Sequence, residues 1–120
     1  MMISRFLAKV ADPKIGGVSP MRVAGALKMS GSDLSRVTRL HRNTLTRTPG
    51  SPSVQARVGE VARIVAAAGE LLGDDARAAV WFRHQPLAGF DGRTAEELVA
   101  AGHGDAVLKH LDTLADGGYA

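Results

Sequence analysis

The feature that most restricts the fold of this chain is a run of apolar residues in its middle. They recur at spacings of three and four positions, the period of one face of an α-helix. The run consists of Val54, Val58, Val61, Ile64, Val65, Ala68 and Leu72. Gly73 follows and is a good helix terminator, because glycine adopts the left-handed conformation at no steric cost. The spacing predicts one long amphipathic helix at the centre of the fold.

Helices are also predicted before this one, and strands are hard to find. Ser19 can cap a helix that has Pro20 at its first position and runs to about Lys28. Two short helices should follow, one starting near Ser32-Asp33 and one near His41. The residues expected to face the core are Met21, Ala24, Leu27, Leu34, Val37 and Leu45. The stretch 13–20, which contains two prolines and two glycines, is expected to be a flexible connector.

Three more helices are predicted after Gly73. The first opens with Asp74-Asp75, negative charge at the positive end of the helix dipole, and stops before Pro86. The second starts with a Thr94-x-x-Glu97 capping box, and the third runs over 104–115. Their expected inward residues are Ala78, Val80, Trp81, Phe82, Leu98, Val99, Val107, Leu108, Leu111 and Leu114. The fold class is therefore all-α.

Composition limits the classes of protein that this chain can represent. With 120 residues, 45% of them hydrophobic, it can bury one core without metals or disulfides, and a multidomain enzyme is excluded. It has no cysteine, which excludes disulfides, cysteine-ligated metals and thiol nucleophiles and is compatible with a reducing cytoplasm. Neither a signal peptide nor an apolar run of about 18 residues is visible, so we expect a soluble, cytoplasmic protein with no membrane contact.

The charge is distributed unevenly between the two halves of the chain. Residues 1–60 hold ten Lys and Arg against three Asp and Glu, a net +7, whereas residues 61–120 hold five against nine, a net −4. A basic half beside an acidic half suggests two partners, one polyanionic such as nucleic acid and one a protein. The alternative is chance clustering of surface charge.

Residues 20–47 have the proportions of a helix-turn-helix, with two short helices joined at about Arg39-Leu40. In the second helix only Leu45 is clearly buried, which leaves its other side chains free to read base edges in a major groove. The spacing resembles the Xre-type helix-turn-helix of bacterial repressors, with Arg39 in place of the usual glycine. The expected DNA contacts are Arg36 and Arg39 with phosphates, and Arg42, Asn43, Thr44 and Arg47 from the second helix. The alternative is a degenerate helix-turn-helix with a purely structural role.

A more specific pattern spans Trp81 to Leu98, which reads WFRHQPLAGFDGRTAEEL. Its order of tryptophan, proline, leucine, glycine and the triplet GRT is similar to that of the Xre/MbcA/ParS-like toxin-binding domain, and the ending GYA matches that family too. Ala95 stands where the family usually has proline, and an extra residue or two separates Gly89 from Gly92. With the helix-turn-helix, the resemblance covers roughly residues 20–120.

This resemblance implies an antitoxin of a type II RES–Xre toxin–antitoxin pair, close to the MbcT–MbcA group. Such an antitoxin inhibits a RES-domain toxin, an enzyme that destroys NAD, by sending its C-terminal tail into the NAD pocket. The matching toxin-binding residues are Gly117, Gly118, Tyr119 and Ala120, and Arg93 is a further candidate contact. Operator DNA would be the second partner, bound for autoregulation by a homodimer within a larger complex. The competing interpretation of the tail is a frayed terminus.

No residues point to catalysis, a metal or a cofactor. The four histidines include no His-x-x-x-His pair, and no Ser–His–Asp order or close carboxylate pair stands out. The expected organisation is an N-terminal segment (1–19), a helix-turn-helix unit (20–50) and a helical toxin-binding domain with its tail (51–120), the two units sharing one core. Two other functions stay open: a transcriptional repressor without a toxin partner, and a segregation-type DNA-binding accessory.

Overall fold

The computed structural model describes residues 4–117. Within that range it contains eight helices and one two-stranded antiparallel sheet. The elements are α1 (Arg5–Val10), β1 (Ala11–Asp12), β2 (Gly17–Val18), α2 (Pro20–Leu27), α3 (Gly31–Thr38), α4 (Arg42–Arg47), α5 (Pro52–Leu72), α6 (Asp75–His84), α7 (Ala95–Ala100) and α8 (Gly104–Ala115). The predicted all-α class is confirmed. None of these helices within 4–117 is both long enough and apolar enough to cross a membrane.

Helix α5 is the centre of the fold, as its apolar period predicts. Ser51 caps it, Pro52 occupies its first turn, and Gly73 ends it with a φ of 73°. Helices α1, α6 and α8 pack against it. Its buried side chains belong to a single hydrophobic core that runs from Phe6 in α1 to Leu111 in α8. The two expected units therefore share one core.

Residues 4–19 are ordered, and the expectation of a flexible connector over 13–20 is wrong. Strands β1 and β2 pair around a turn in which the carbonyl of Asp12 accepts hydrogen bonds from the amides of Ile15 and Gly16. Gln55 of α5 then holds the hairpin: its Oε1 accepts from the amide of Val18 at 2.9 Å, and its Nε2 donates to the Val18 carbonyl at 2.8 Å. This partner lies 37 residues away, so local composition could not reveal it.

The predicted helix starts are largely confirmed by side-chain caps. The Ser19 hydroxyl accepts from the amide of Arg22, and Thr94 and Glu97 form the expected capping box. The start of α3 is corrected: Ser30, rather than Ser32 or Asp33, is the cap, and Asp33 completes a second capping box. Hydrogen bonds from the backbone amides of Ser30 and Thr94 lower the pKa of the Asp33 and Glu97 carboxyls, respectively.

Three residues expected in the core face solvent instead. Met21 is 57% exposed, Val80 is 60% exposed and Leu72, the last residue of α5, is 40% exposed. In α2 and α6 the buried stripe runs through neighbouring positions, with Val23 in α2 and Ala79 in α6 taking the inward places. Each residue rotates the side chain by about 100° around a helix, so in helices this short a one-residue shift changes the buried face.

We predict that Gln55→Ala lowers the free energy of unfolding by about 1–3 kcal/mol, because the backbone groups of Val18 and the carbonyl of Pro49 lose their partner. Gln85→Ala is the matched control, since Gln85 is exposed and, within residues 4–117, its side chain donates only to the adjacent Pro86 carbonyl. Urea unfolding followed by circular dichroism compares the two variants. Equal stability of both would contradict the role assigned to Gln55.

Candidate functional site

Helices α3 and α4 are joined by a tight turn at the place predicted for a helix-turn-helix. Arg39 ends α3 in the left-handed conformation, with a φ of 57°, so it adopts the geometry for which glycine is the usual residue. The turn is held from both sides: the hydroxyl of Ser35 donates to the Leu40 carbonyl, and Arg57 of α5 donates to the Thr38 carbonyl at 3.1 Å. The side chains of Ser35 and Arg57 therefore stabilise this turn.

Helix α4 buries only Leu45, as predicted, and presents most of its other side chains to solvent. Arg42, Asn43 and Arg47 are exposed, whereas Thr44 is half-buried. The guanidinium of Arg42 donates to the hydroxyl of Ser32 at 3.1 Å. These placements give α4 one polar, positively charged outer surface.

Two further residues belong to this surface although sequence reasoning did not assign them to it. Met21 and Thr46 line a shallow hollow together with Arg42 and Asn43. Thr46 lies one helical turn after Arg42, a spacing that could have identified it. Met21 gave no such signal, because its position in the sequence fits an inward stripe equally well.

Arg36 and Arg39, expected to contact phosphates, point toward the C-terminal half of the chain. Arg36 Nη2 lies 3.4 Å from Asp33 Oδ1 and 3.6 Å from Glu96 Oε2 of α7. The Arg39 guanidinium covers the turn between α7 and α8, where a Cβ on Gly102 would lie 3.1 Å from Nη1. Both arginines are nevertheless exposed, and their contacts with phosphates stay predictions.

Arg83 of α6 is the residue that ties the two halves together. Its Nε donates to Glu96 Oε1 at 2.8 Å, its Nη1 to the carbonyl of Lys28 at 2.8 Å and its Nη2 to Asp33 Oδ2 at 3.3 Å. The side chains of Arg83 and Glu96 are only 19% and 10% exposed. With Arg36 they form an ion cluster, named here the Arg83 cluster, that joins α2 and α3 to α6 and α7.

The loop between α6 and α7 is held by its own backbone. The amide of Leu87 donates to the carbonyl of Arg93 at 2.9 Å, and Arg93 Nε donates to the Phe90 carbonyl at 3.3 Å. Gly89, Asp91 and Gly92 all have positive φ, which accommodates the extra loop residues. Arg93 is half-buried and supports this loop, and its predicted contact with a partner stays a prediction.

The end of α8 leads to the predicted tail. Gly117 is exposed, has a φ of 77°, and its amide donates to the Leu114 carbonyl at 3.1 Å. The other tail residues of the prediction, Gly118, Tyr119 and Ala120, lie outside the described residues. Among the residues that are described, no three His, Asp or Glu side chains are grouped in a way that could hold a metal ion.

Comparison with known families defines the class of protein. Residues 67–117, from the last turns of α5 to just past the end of α8, match a family of antitoxin domains. The family is described as the antitoxin Xre/MbcA/ParS C-terminal toxin-binding domain, and the match supports an antitoxin of the Xre/MbcA/ParS type. No curated protein and no solved structure matches the chain.

The match confirms the resemblance over the segment that carries its motif. Ala95, which stands in place of the family's usual proline, is the first residue of α7, directly after the Thr94 cap. Proline is favoured at the first position of a helix, because a backbone N–H at that position would have no hydrogen-bond partner within the helix. Alanine fits the same place, so this departure leaves the helix start intact. A toxin-binding domain suggests a regulatory role for the protein.

We predict that Arg83→Met lowers the free energy of unfolding by about 2–3 kcal/mol. It removes three hydrogen bonds and leaves Glu96 with only the longer Arg36 contact, and the effect is below that of a fully buried pair because the cluster is partly exposed. Arg77→Met, an exposed arginine on the same helix, is the control. Guanidinium denaturation measures both variants. A destabilisation no larger than that of the control would show that the cluster does not join the halves.

Proposed function

We propose that this protein is the antitoxin of a RES-domain toxin and inhibits it by placing its C-terminal tail in the toxin's NAD pocket. The observation that carries the proposal is the match of residues 67–117 to a toxin-binding domain of antitoxins. RES toxins and the use of the tail come from the resemblance of Trp81–Leu98 and the ending GYA to the same family.

The chemistry of the tail supports this mode of inhibition. Gly117 and Gly118 carry no side chain, so this part of the backbone can enter a narrow cleft. Tyr119 offers a flat ring with a hydroxyl, which can pack against the walls of such a cleft and form a hydrogen bond there. Asp116 and Gly117 are exposed where α8 ends, so the tail starts from the protein surface.

Removing residues 117–120 should abolish inhibition and leave the fold intact, because α8 ends at Ala115 and Gly117, the last described residue, is exposed. Cells that express a RES toxin encoded beside this chain should survive when they also make the full chain and die when they make the truncated one. The NAD pool should fall only in the cells with the truncated chain. A variant in which residues 117–120 are all serine keeps the chain length and separates length from side-chain chemistry. Rescue by the truncated protein would rule out occlusion by the tail.

We also propose that α4 reads an operator in the major groove as part of a homodimer. The support is the surface of Arg42, Asn43 and Arg47 beside a single buried residue, Leu45, in the half of the chain with net charge +7. Arginine and asparagine make bidentate contacts with guanine and adenine, each worth about 1–3 kcal/mol. Autoregulation of the toxin–antitoxin genes follows from such binding.

Replacing Arg42, Asn43 and Arg47 together by Ala should lower operator affinity at least tenfold, with little change in stability, because all three side chains are exposed. The slope of log affinity against log salt should fall by roughly 0.9 for each phosphate that the variant no longer neutralises. Gel shifts over a salt series measure both quantities. Toxin neutralisation by the same variant should be unchanged.

The matched control is Arg63→Ala with Lys109→Ala. It also removes two positive charges, but from exposed positions on α5 and α8. Unchanged operator binding by the α4 variant would show that α4 is not the reading helix. Loss of toxin neutralisation together with operator binding would show that the two activities are coupled.

A repressor without a toxin partner is the alternative, and the neighbouring gene separates the two. An adjacent reading frame for a RES-type protein supports the antitoxin, and its absence together with operator binding supports the repressor.

A further inference from the structure

An exposed apolar surface lies where α5 and α6 meet the last turns of α8. Of the four large hydrophobic residues that are well exposed within 4–117, three are here: Leu71, Leu72 and Val80, with exposures of 42%, 40% and 60%. The fourth, Met21, lies next to α4. These three residues lie inside the segment that matches the toxin-binding domain, residues 67–117.

The patch is continuous. Leu72 and Trp81 line two adjacent hollows, one shared with Val80 and the other with Leu71 and Leu114. Trp81 and Leu114 are each half-buried, so both contribute area that a partner can still cover. Because isolated apolar residues are common on protein surfaces but contiguous ones mark contact sites, this grouping points to an interface. We refer to these five residues as the apolar patch.

The position of the tail specifies which partner covers the patch. Leu114 lies one helical turn before Gly117, and its carbonyl accepts the amide of that residue. Residues 118–120 directly follow Gly117, and three residues reach at most about 10 Å from it when fully extended. A partner that holds residues 118–120 in a cleft must therefore have the mouth of that cleft close to the end of α8, beside the apolar patch.

We infer that the apolar patch is the docking surface for the toxin, in contact with an apolar rim around the mouth of the NAD pocket. This inference rests on the proposed function and divides it between two parts of the chain. The patch supplies affinity, because covering its apolar area removes that area from water and buries the ring of Trp81. The tail supplies the inhibition, because it occupies the pocket.

The experiment measures the affinity of the full chain for the purified RES toxin of the adjacent reading frame by calorimetry, and its inhibition of NAD consumption. Leu72→Lys with Val80→Lys should weaken binding at least tenfold, whereas Ala8→Lys with Ala56→Lys, which adds two lysines at exposed positions of α1 and α5 outside the patch, should bind as the unchanged protein does. Deletion of residues 117–120 should abolish inhibition, and the truncated chain should bind the toxin more tightly than the double lysine variant does. Val80→Lys alone, at the most exposed position of the patch, covers the case in which the double variant does not fold.

The possible outcomes test the docking surface and the proposed function separately. Unchanged toxin affinity of Leu72→Lys with Val80→Lys, alongside inhibition by the unchanged chain, would overturn the docking surface and leave the antitoxin function in place. A shift of those variants from dimer to monomer with unchanged toxin affinity would overturn it too and assign the patch to self-association. If the unchanged chain neither binds nor inhibits the toxin, the proposed function fails and the docking surface fails with it.

Discussion

The architecture depends on one guanidinium. Arg83 donates from α6 to Glu96 on α7, to the end of α2 and to Asp33 on α3, so elements far apart in the chain are held at one point. An arginine provides this many donors in a fixed planar arrangement, which lysine cannot. Because α3 leads directly into α4, the Arg83 cluster also sets how the α4 surface is oriented relative to the toxin-binding domain.

This arrangement changes how the basic half of the chain is understood. Its net charge of +7 includes Arg36, which lies between Asp33 and Glu96, and so part of the positive charge is already balanced by the acidic half. The positive surface that remains on α4 is smaller and more localised than the composition suggests. Tight contact between the halves also means that a change in the toxin-binding domain can alter the helix pair, although the two proposed contact surfaces contain different residues.

The sequence was sufficient to predict the elements whose signals are local. The bounds of α5 and α8 follow from apolar spacing and glycine, and the starts of α2 and α7 follow from Ser19 and Thr94. It was insufficient where a distant partner decides the outcome: Gln55 orders the hairpin, and Arg83 selects Glu96 and Asp33. For the candidate site, motif residues such as Trp81 and the single buried residue of α4 could be predicted, but the exposure of Val80 could not, since α6 is too short to define its buried face from sequence.

The central claim is that the C-terminal half of this protein recognises a toxin. Amide hydrogen exchange of the full chain, measured with and without the proposed toxin, tests it most directly. The account predicts slower exchange at the end of α5, in α6 and in the last turns of α8, and unchanged exchange in α4. Protection confined to α4, or none at all, would contradict it.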